Sequence, residues 1–349
     1  MATTDDPTTG EPRELVVPEL ALVVLIGASG SGKSTFAARH FKPTEVLSSD
    51  ACRAMLSDDE TDQTVTKEAF DLLHTIARKR LALRRLVVVD ATNTQPESRA
   101  ELVRVAREFH ALPVAIVLDL PGSVCKQRNA SRSNRAFGPE VIGRQRAQLK
   151  RSMRGAKGLQ REGFRYVHML RSVEEVDAAT IRRQPLWTNR RHEHGPFDII
   201  GDVHGCFAEL CSLLRELGYT IGTTGEPGDT TYVVTPPEGR RAIFLGDLVD
   251  RGPASPEVLR LVMDMIDAGV ALCVLGNHDA RLLRKLRGKN VRLTHGLPET
   301  LQQLETESPA FTKRVEAFID GLVSHFVLDD GKLVVAHAGL REDLQGRAS

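Results

Sequence analysis

Aromatic residues are scarce in this chain of 349 residues, with one Trp, three Tyr and twelve Phe. Large stacking platforms for bases are therefore not expected to dominate its function. Cysteine is equally sparse. The five thiols are odd in number and form no C-x-x-C pair, which argues against a disulfide framework and fits a reducing compartment. The longest apolar run, 20–26, falls far short of the ~20 residues of a membrane helix. The opening residues, MATTDDPTTGEPRE, are polar and acidic, unlike a secretory signal. These shortages point to a cytoplasmic protein with no membrane partner. What is present is 41% hydrophobic and 27% charged residues, enough for two cores at ~150 residues per domain.

The net charge of +1 conceals an asymmetry. Residues 1–185 carry 29 Lys and Arg against 23 Asp and Glu, whereas 186–349 carry 18 against 23. A first half that meets an anion and a second half that holds cations would give this split.

The pattern predicts an α/β chain of two modules. Residues 1–18 read as a disordered tail, rich in Thr, Asp, Pro and Glu. Residues 19–175 alternate buried parallel strands (Leu20–Ile26, Leu86–Val89, Ala115–Leu118) with helical periodicity (Glu68–Arg85, Glu97–His110), which spells a mostly parallel sheet. A basic, proline-containing stretch in 176–196 reads as a linker. In 197–349, short strands (Phe197–Ile200, Ala242–Leu245, Leu272–Leu275, Leu333–Ala336) run into His- and Asp-rich turns, as in an α/β sandwich with chemistry at the strand ends.

Gly27-Ala-Ser-Gly-Ser-Gly-Lys-Ser34 matches G-x-x-x-x-G-K-[ST] between a strand and a helix. Glycines let backbone N–H groups close on phosphate oxygens, and the helix dipole favours the anion. Lys33 reaches the β/γ-phosphates and Ser34 serves Mg²⁺. Asp50, at the end of a second strand, can face the γ-phosphate and take a proton from an attacking hydroxyl, with helix capping as a compatible role. Arg53 stands close enough to hold a neighbouring anion. Asp90 ends a third strand and suits either a water-mediated Mg²⁺ contact or a turn cap. Residues 126–157 hold ten Lys and Arg against the single acid Glu140. Within them Arg128 and Arg132 are spaced to share a helix face over the ATP phosphates, and the rest would form a surface for a polyanion.

With these residues in view, 20 to about 170 resembles the polynucleotide 5′-kinase domain of the bacterial polynucleotide kinase–phosphatases of RNA repair. The GASGSGKST loop, the SSDACR segment and the CKQRNASR lid carry the resemblance. It implies ATP with Mg²⁺, held by Gly27, Ser29, Gly30, Ser31, Gly32, Lys33, Ser34 and Thr35 with Arg128 and Arg132. Asp50 would be the general base on a 5′-OH, and Arg53 would grip the adjacent substrate phosphate.

Four further blocks follow in order: Asp202-Val-His204-Gly, Gly-Asp247-Leu-Val-Asp250-Arg251-Gly, Gly-Asn277-His278-Asp and His337. They resemble the binuclear metallophosphoesterases, in the branch of Ser/Thr phosphatases and diadenosine-tetraphosphate hydrolases. The resemblance implies two divalent ions, Mn²⁺ by ligand type, bridged by Asp247. Asp202 and His204 would hold one ion, Asn277 and His337 the other. Arg251 would bind phosphate oxygens, and His278, oriented by Asp250, would protonate the leaving alkoxide. The family's further Gly-His block and the repair proteins' ligase-like domain have no counterpart here, so the phosphatase is expected to be incomplete and inactive. The combined expectation is an RNA end-healing enzyme acting on RNA, or DNA, 5′-OH ends. An RNA-repair partner protein and a homodimer stay open. The alternative is a small-metabolite kinase fused to a protein or dinucleotide-polyphosphate phosphatase.

Overall fold

The computed structural model describes residues 13–131, 138–153, 156–225 and 230–348. The chain divides into two compact units, with the break between Leu186 and Trp187.

The first unit runs β1 (Glu14–Pro18), β2 (Ala21–Ile26), α1 (Lys33–His40), β3 (Val46–Ser48), α2 (Ser49–Ser57), α3 (Thr66–Ala82), β4 (Val87–Asp90) and α4 (Pro96–Glu108). It continues through β5 (Leu112–Leu118), α5 (Gly122–Ala130), α6 (Pro139–Ser152), α7 (Ala156–Glu162), β6 (Tyr166–Leu170), α8 (Val173–Ala178) and β7 (Thr180–Gln184). Five strands form a parallel sheet in the order β3-β4-β2-β5-β6. Both faces are covered, which is why β2 reads as unbroken apolar sequence. Leu22, Val24 and Ile26 pack into the core on one face, and Ala21, Val23 and Leu25 into the core on the other.

Two boundaries differ from the sequence reading. Residues 1–12 of the expected tail lie outside the described residues, but 14–18 are not tail: they form β1, paired in parallel with β7. Leu15 and Val17 point into the core, an alternation too short to stand out in sequence. Residues 176–184, taken as linker, belong to α8 and β7. Both strands depend on a partner far along the chain, which local composition does not reveal. The expected helix spanning Arg128 and Arg132 also stops early, at Ala130, with Ser131 as its cap. Arg132 lies outside the described residues, as do Arg135 and Arg154 of the basic segment.

The second unit runs β8 (Phe197–Ile200), α9 (Phe207–Glu216), β9 (Thr220–Thr224), β10 (Thr231–Thr235), β11 (Arg241–Phe244), α10 (Ser255–Asp267) and β12 (Ala271–Cys273). Then come α11 (Asn277–Leu286), α12 (Leu297–Glu305), α13 (Pro309–Gly321), β13 (His325–Leu328) and β14 (Leu333–Ala336). A parallel sheet β12-β11-β8 is accompanied by antiparallel pairs β9–β10 and β13–β14. Alternation along β11 splits the core: Ala242 and Phe244 face the helices, Ile243 faces Phe326 and Leu328. The β9–β10 hairpin, α11 and α12 are elements the sequence reading did not anticipate. In both units most candidate residues follow the carboxyl ends of parallel strands, where open α/β sheets place their ligands, whereas His337 follows β14 of an antiparallel pair.

Candidate active sites

In the first unit, residues 27–32 turn the chain from β2 into α1, with φ of +80° at Gly30 and +91° at Gly32. Glycine is required here for space as well as backbone angle. A Cβ on Gly30 would lie 2.2 Å from the Cys125 carbonyl oxygen, and one on Gly32 3.1 Å from Arg128 Nη1. The Arg128 guanidinium therefore sits against the loop.

Most of the loop's polar groups are engaged with one another. Lys33 Nζ donates to the carbonyls of Gly27 and Ala28 at 2.9 and 3.0 Å. The Ser29 N–H donates to Gln145 Oε1 of α6 at 2.8 Å. A cavity of ≈310 Å³ lies beside the loop, lined by Ser29, Gly30, Gly32, Lys33 and Ser34 together with Asp50, Arg53 and Asp90. Val141 and Gln145 close it from α6, and Gln63, Thr66 and Phe70 from the approach to α3. Ser31 is buried and Thr35 exposed.

Ser48 caps α2, accepting from the N–H groups of Asp50 and Ala51 at 3.2 and 3.5 Å. Asp50 is thus not the cap, and its carboxylate faces the cavity. It is ion-paired with Arg53 one turn on, and Arg53, nearly buried, also donates to the Glu60 carbonyl at 3.1 Å. The structure therefore brings Asp50 and Arg53 together, and both line the cavity. Asp90 ends β4 beside Ser48 of β3. Sequence reasoning missed Arg99, which is fully buried and forms a two-pronged pair with Glu162 at 2.7 Å per bond. Its third contact, to the Asn93 carbonyl at 3.0 Å, anchors the loop behind Asp90.

In the second unit, loops after β8, β11, β12 and β14 bring all four sequence blocks together. Asp202, Asp247 and His337 can each offer a ligand atom within 4.8 Å of the others, and so can His204, Asp247 and His278. Asp247 belongs to both groups. Asp202 groups with His337 and stands 3.7 Å from His204, so it faces both.

Hydrogen bonds fix the ring nitrogens. His204 Nδ1 lies 2.9 Å from the Val249 carbonyl and His337 Nδ1 2.8 Å from that of Leu245. A carbonyl only accepts, so each Nδ1 carries the proton and each Nε2 presents a lone pair. His204 Nε2 is buried with no hydrogen-bond partner. His337 Nε2 faces Asn277 Oδ1 at 3.0 Å and Asp247 Oδ2 at 3.5 Å. Acceptors converging on one another, with an orphaned buried nitrogen among them, fit divalent cations. Such ions activate water and offset phosphoryl charge.

The scaffold around these ligands is strained and tied. His204, Asp247, Asp250 and Arg251 all have positive φ, between +47° and +72°. That is uncommon for residues with a Cβ and clusters at functional sites. Asp250 Oδ2 takes a hydrogen bond from His278 Nδ1 at 2.6 Å, while its Oδ1 accepts from Thr300 at 2.8 Å. Asp279, unassigned by sequence reasoning, is fully buried and accepts from the N–H groups of Asp247, Leu248 and Gly276 at 2.8, 3.0 and 3.1 Å. Burial pushes its carboxyl up to about 6 against those bonds. Thr300 and Asp279 are thus the residues that hold the blocks in place. Their only sequence signal is position: Asp279 completes the Gly-Asn-His-Asp run, and Thr300 has none.

Comparison with known proteins fits these geometries. Residues 22–155 match the AAA domain model and residues 195–346 the calcineurin-like phosphoesterase model. The chain joins a P-loop kinase-like domain to a calcineurin-like metallophosphoesterase domain. The chain is 38% identical over 157 residues to the bis(5′-nucleosyl)-tetraphosphatase PrpE [asymmetrical] of Anoxybacillus flavithermus, covering 44% of this chain and 61% of that one. The protein of the same name from Bacillus subtilis is 42% identical over 155 residues, covering 43% and 60%. The chain therefore spans about three fifths of these curated relatives. Among solved structures, the Pnkp1/Rnl/Hen1 RNA repair complex is 17% identical with a TM-score of 0.35, covering 78% of this chain and 83% of that one. A calcineurin-like phosphoesterase domain implies divalent metals, and a kinase-like domain a nucleotide with Mg²⁺. Among the described residues no helix is long and apolar enough to cross a membrane.

Proposed function

We propose that the chain is a nucleic-acid end-healing enzyme. Its kinase-like domain transfers the γ-phosphoryl group of ATP to polynucleotide 5′-OH ends; against the expectation of an inactive phosphatase, the convergence of Asp202, His204, Asp247 and His337 supports a phosphoesterase domain that, with Mn²⁺, removes phosphate from the opposite end. The observation that carries this reading is α6. Its Val141 and Gln145 wall the cavity that holds Asp50 and Lys33. Its exposed Arg144, Lys150 and Arg151 turn the same helix outward as a basic surface. A small-metabolite kinase has no use for such a surface, whereas a polynucleotide loses counterions on it. Arg146, also assigned to that surface by sequence, is instead half-buried against Gly122.

Asp50 then takes the proton of the 5′-OH as Lys33 leaves its loop carbonyls for the phosphates. Arg53 orients Asp50 and lies within reach of the substrate's next phosphate. Incubating the chain with labelled ATP and 5′-OH oligoribonucleotide or oligodeoxyribonucleotide tests this. Transfer to either oligonucleotide supports the reading, and transfer only to small hydroxyl compounds overturns it.

The likeness to tetraphosphatases favours a second reading for the phosphoesterase domain, hydrolysis of dinucleoside polyphosphates. Rates on bis(5′-adenosyl) tetraphosphate and on a 3′-phosphorylated oligonucleotide, compared in one preparation, separate the two.

A further inference from the structure

The phosphoesterase half of the chain is acidic overall, yet one stretch of it runs the other way. Between Asp279 and Glu299 lie six Lys and Arg and no acid. Of these, Arg287 is neutralised by Glu316 and Asp320 on α13 at 3.0 and 2.9 Å. Arg281, Arg284, Lys285, Lys289 and Arg292 have no carboxylate at ion-pair distance among the described residues. A solvated helix face ordinarily mixes signs, so five cations within twelve residues, without a carboxylate partner among the described residues, need another explanation.

Their placement supplies one. Helix α11 begins at Asn277 and His278, so positions 281 and 284 follow Asn277 by four and seven residues and share its face. Side chains on a helix lean toward its N-terminus, which is the metal-site end. The loop after α11 is fastened to the same end. Arg281 Nη1 donates to the Thr294 carbonyl at 3.0 Å, and a Cβ on Gly296 would lie 2.2 Å from the backbone nitrogen of Arg251. Lys289 and Arg292 in that loop are exposed. Arg281 and Arg284 therefore share the face of α11 that Asn277 begins, the segment 294–296 lies against Arg251, and the loop that joins them carries the exposed Lys289 and Arg292.

We propose that residues 281–292 form a binding rim for a leaving group that itself carries phosphates, so that the site's substrate is a nucleotide phosphoester rather than a phosphorylated side chain. This rests on the reading of Arg251 and His278 as the phosphate-binding and proton-donating residues. In hydrolysis the water oxygen bonds to phosphorus and the bond to the leaving oxygen breaks. That oxygen takes one proton, and the other leaves with the phosphate. The rim touches none of these atoms. It binds the remainder of the molecule, either the polynucleotide behind a terminal phosphate or the distal half of a dinucleoside polyphosphate, which share the chemistry of successive nucleotide phosphates.

The test has two readouts on the full chain. The first is acylation of Lys289, followed by peptide mass spectrometry with bis(5′-adenosyl) tetraphosphate, a 3′-phosphorylated oligonucleotide or orthophosphate present. Labelling should slow at least threefold with one of the first two and stay unchanged with orthophosphate; which of the two protects identifies the source. The second is the KM of the triple variant Arg284→Gln, Lys289→Gln, Arg292→Gln. It should rise about tenfold for the protecting compound and less than about twofold for 4-nitrophenyl phosphate. Turnover with no protection and equal KM changes overturns the rim. Protection with no phosphoesterase turnover under any divalent metal keeps the rim and overturns the reading of the site beside it.

Discussion

The two sites solve the same problem, holding phosphate, in opposite states of readiness. In the kinase-like domain Lys33 is folded onto loop carbonyls, Arg53 onto Asp50, and Gln145 onto the Ser29 N–H. Each such group must let go of a protein partner before it meets a ligand. In the phosphoesterase domain the acceptors face one another, and His204 Nε2 has nothing to release. On the proposed reading a ligand would remake the first site and complete the second. The difference follows from what holds each in shape. Side chains close the first, whereas buried carboxylates bonded to backbone N–H groups fix the second, and backbone moves less readily.

The largest test of that contrast is Asp50→Ala. It should lower 5′-phosphorylation by about 10²–10⁴-fold while ATP affinity, read by calorimetry, stays within a few-fold. Loss of ATP binding would mean that Asp50 shapes the site instead of acting on the hydroxyl.

Next comes metal addition. The single tryptophan, Trp187, lines a cavity with Ile266, Leu272 and Phe326 of the phosphoesterase unit, so its fluorescence in urea follows that unit. Mn²⁺ at a hundred times its Kd should stabilise the unit by about 2.7 kcal/mol, slowing amide exchange across α9 to α13 by a common factor and opening none of them. ATP, by contrast, should change exchange in α6. Metal-induced rearrangement as large as the nucleotide's would erase the distinction.

Asp279→Asn is expected to destabilise the same unit by about 2 kcal/mol and to weaken metal binding, because one of three buried N–H donors then faces an NH₂ group. Unchanged urea midpoints would show that the backbone is held by other bonds. The smallest effect belongs to Gln145→Ala. Removing the side chain that occupies the Ser29 N–H should tighten nucleotide binding about fivefold, the worth of one hydrogen bond. Weaker binding would mean that the glutamine helps hold the nucleotide.

How much of this was legible beforehand tracks the range of the physics. The phosphate loop and the four His- and Asp-rich blocks are each short contiguous runs, which is why they can be read locally; the loop lies between β2 and α1 and the blocks on loops after β8, β11, β12 and β14. Asp279 was visible but mute, since its worth lies in donors from two other loops. Thr300 reaches Asp250 from fifty residues away and leaves no trace in spacing. Gln145 was hidden in a basic helix read only for its charge. The rim at 281–292 was masked differently: summing charge over a whole half of the chain averaged it into an acidic total.

The pairing of β1 with β7 bears on how the gene is cut. Anyone trimming the first 18 residues as a dispensable leader would delete a strand, stripping Thr180–Gln184 of its partner along the whole register. The product would carry an open sheet edge and would lose Leu15 and Val17 from the interior, a recipe for insoluble expression unrelated to catalysis. A fragment meant to isolate the kinase-like domain should begin before Glu14 and run through Leu186.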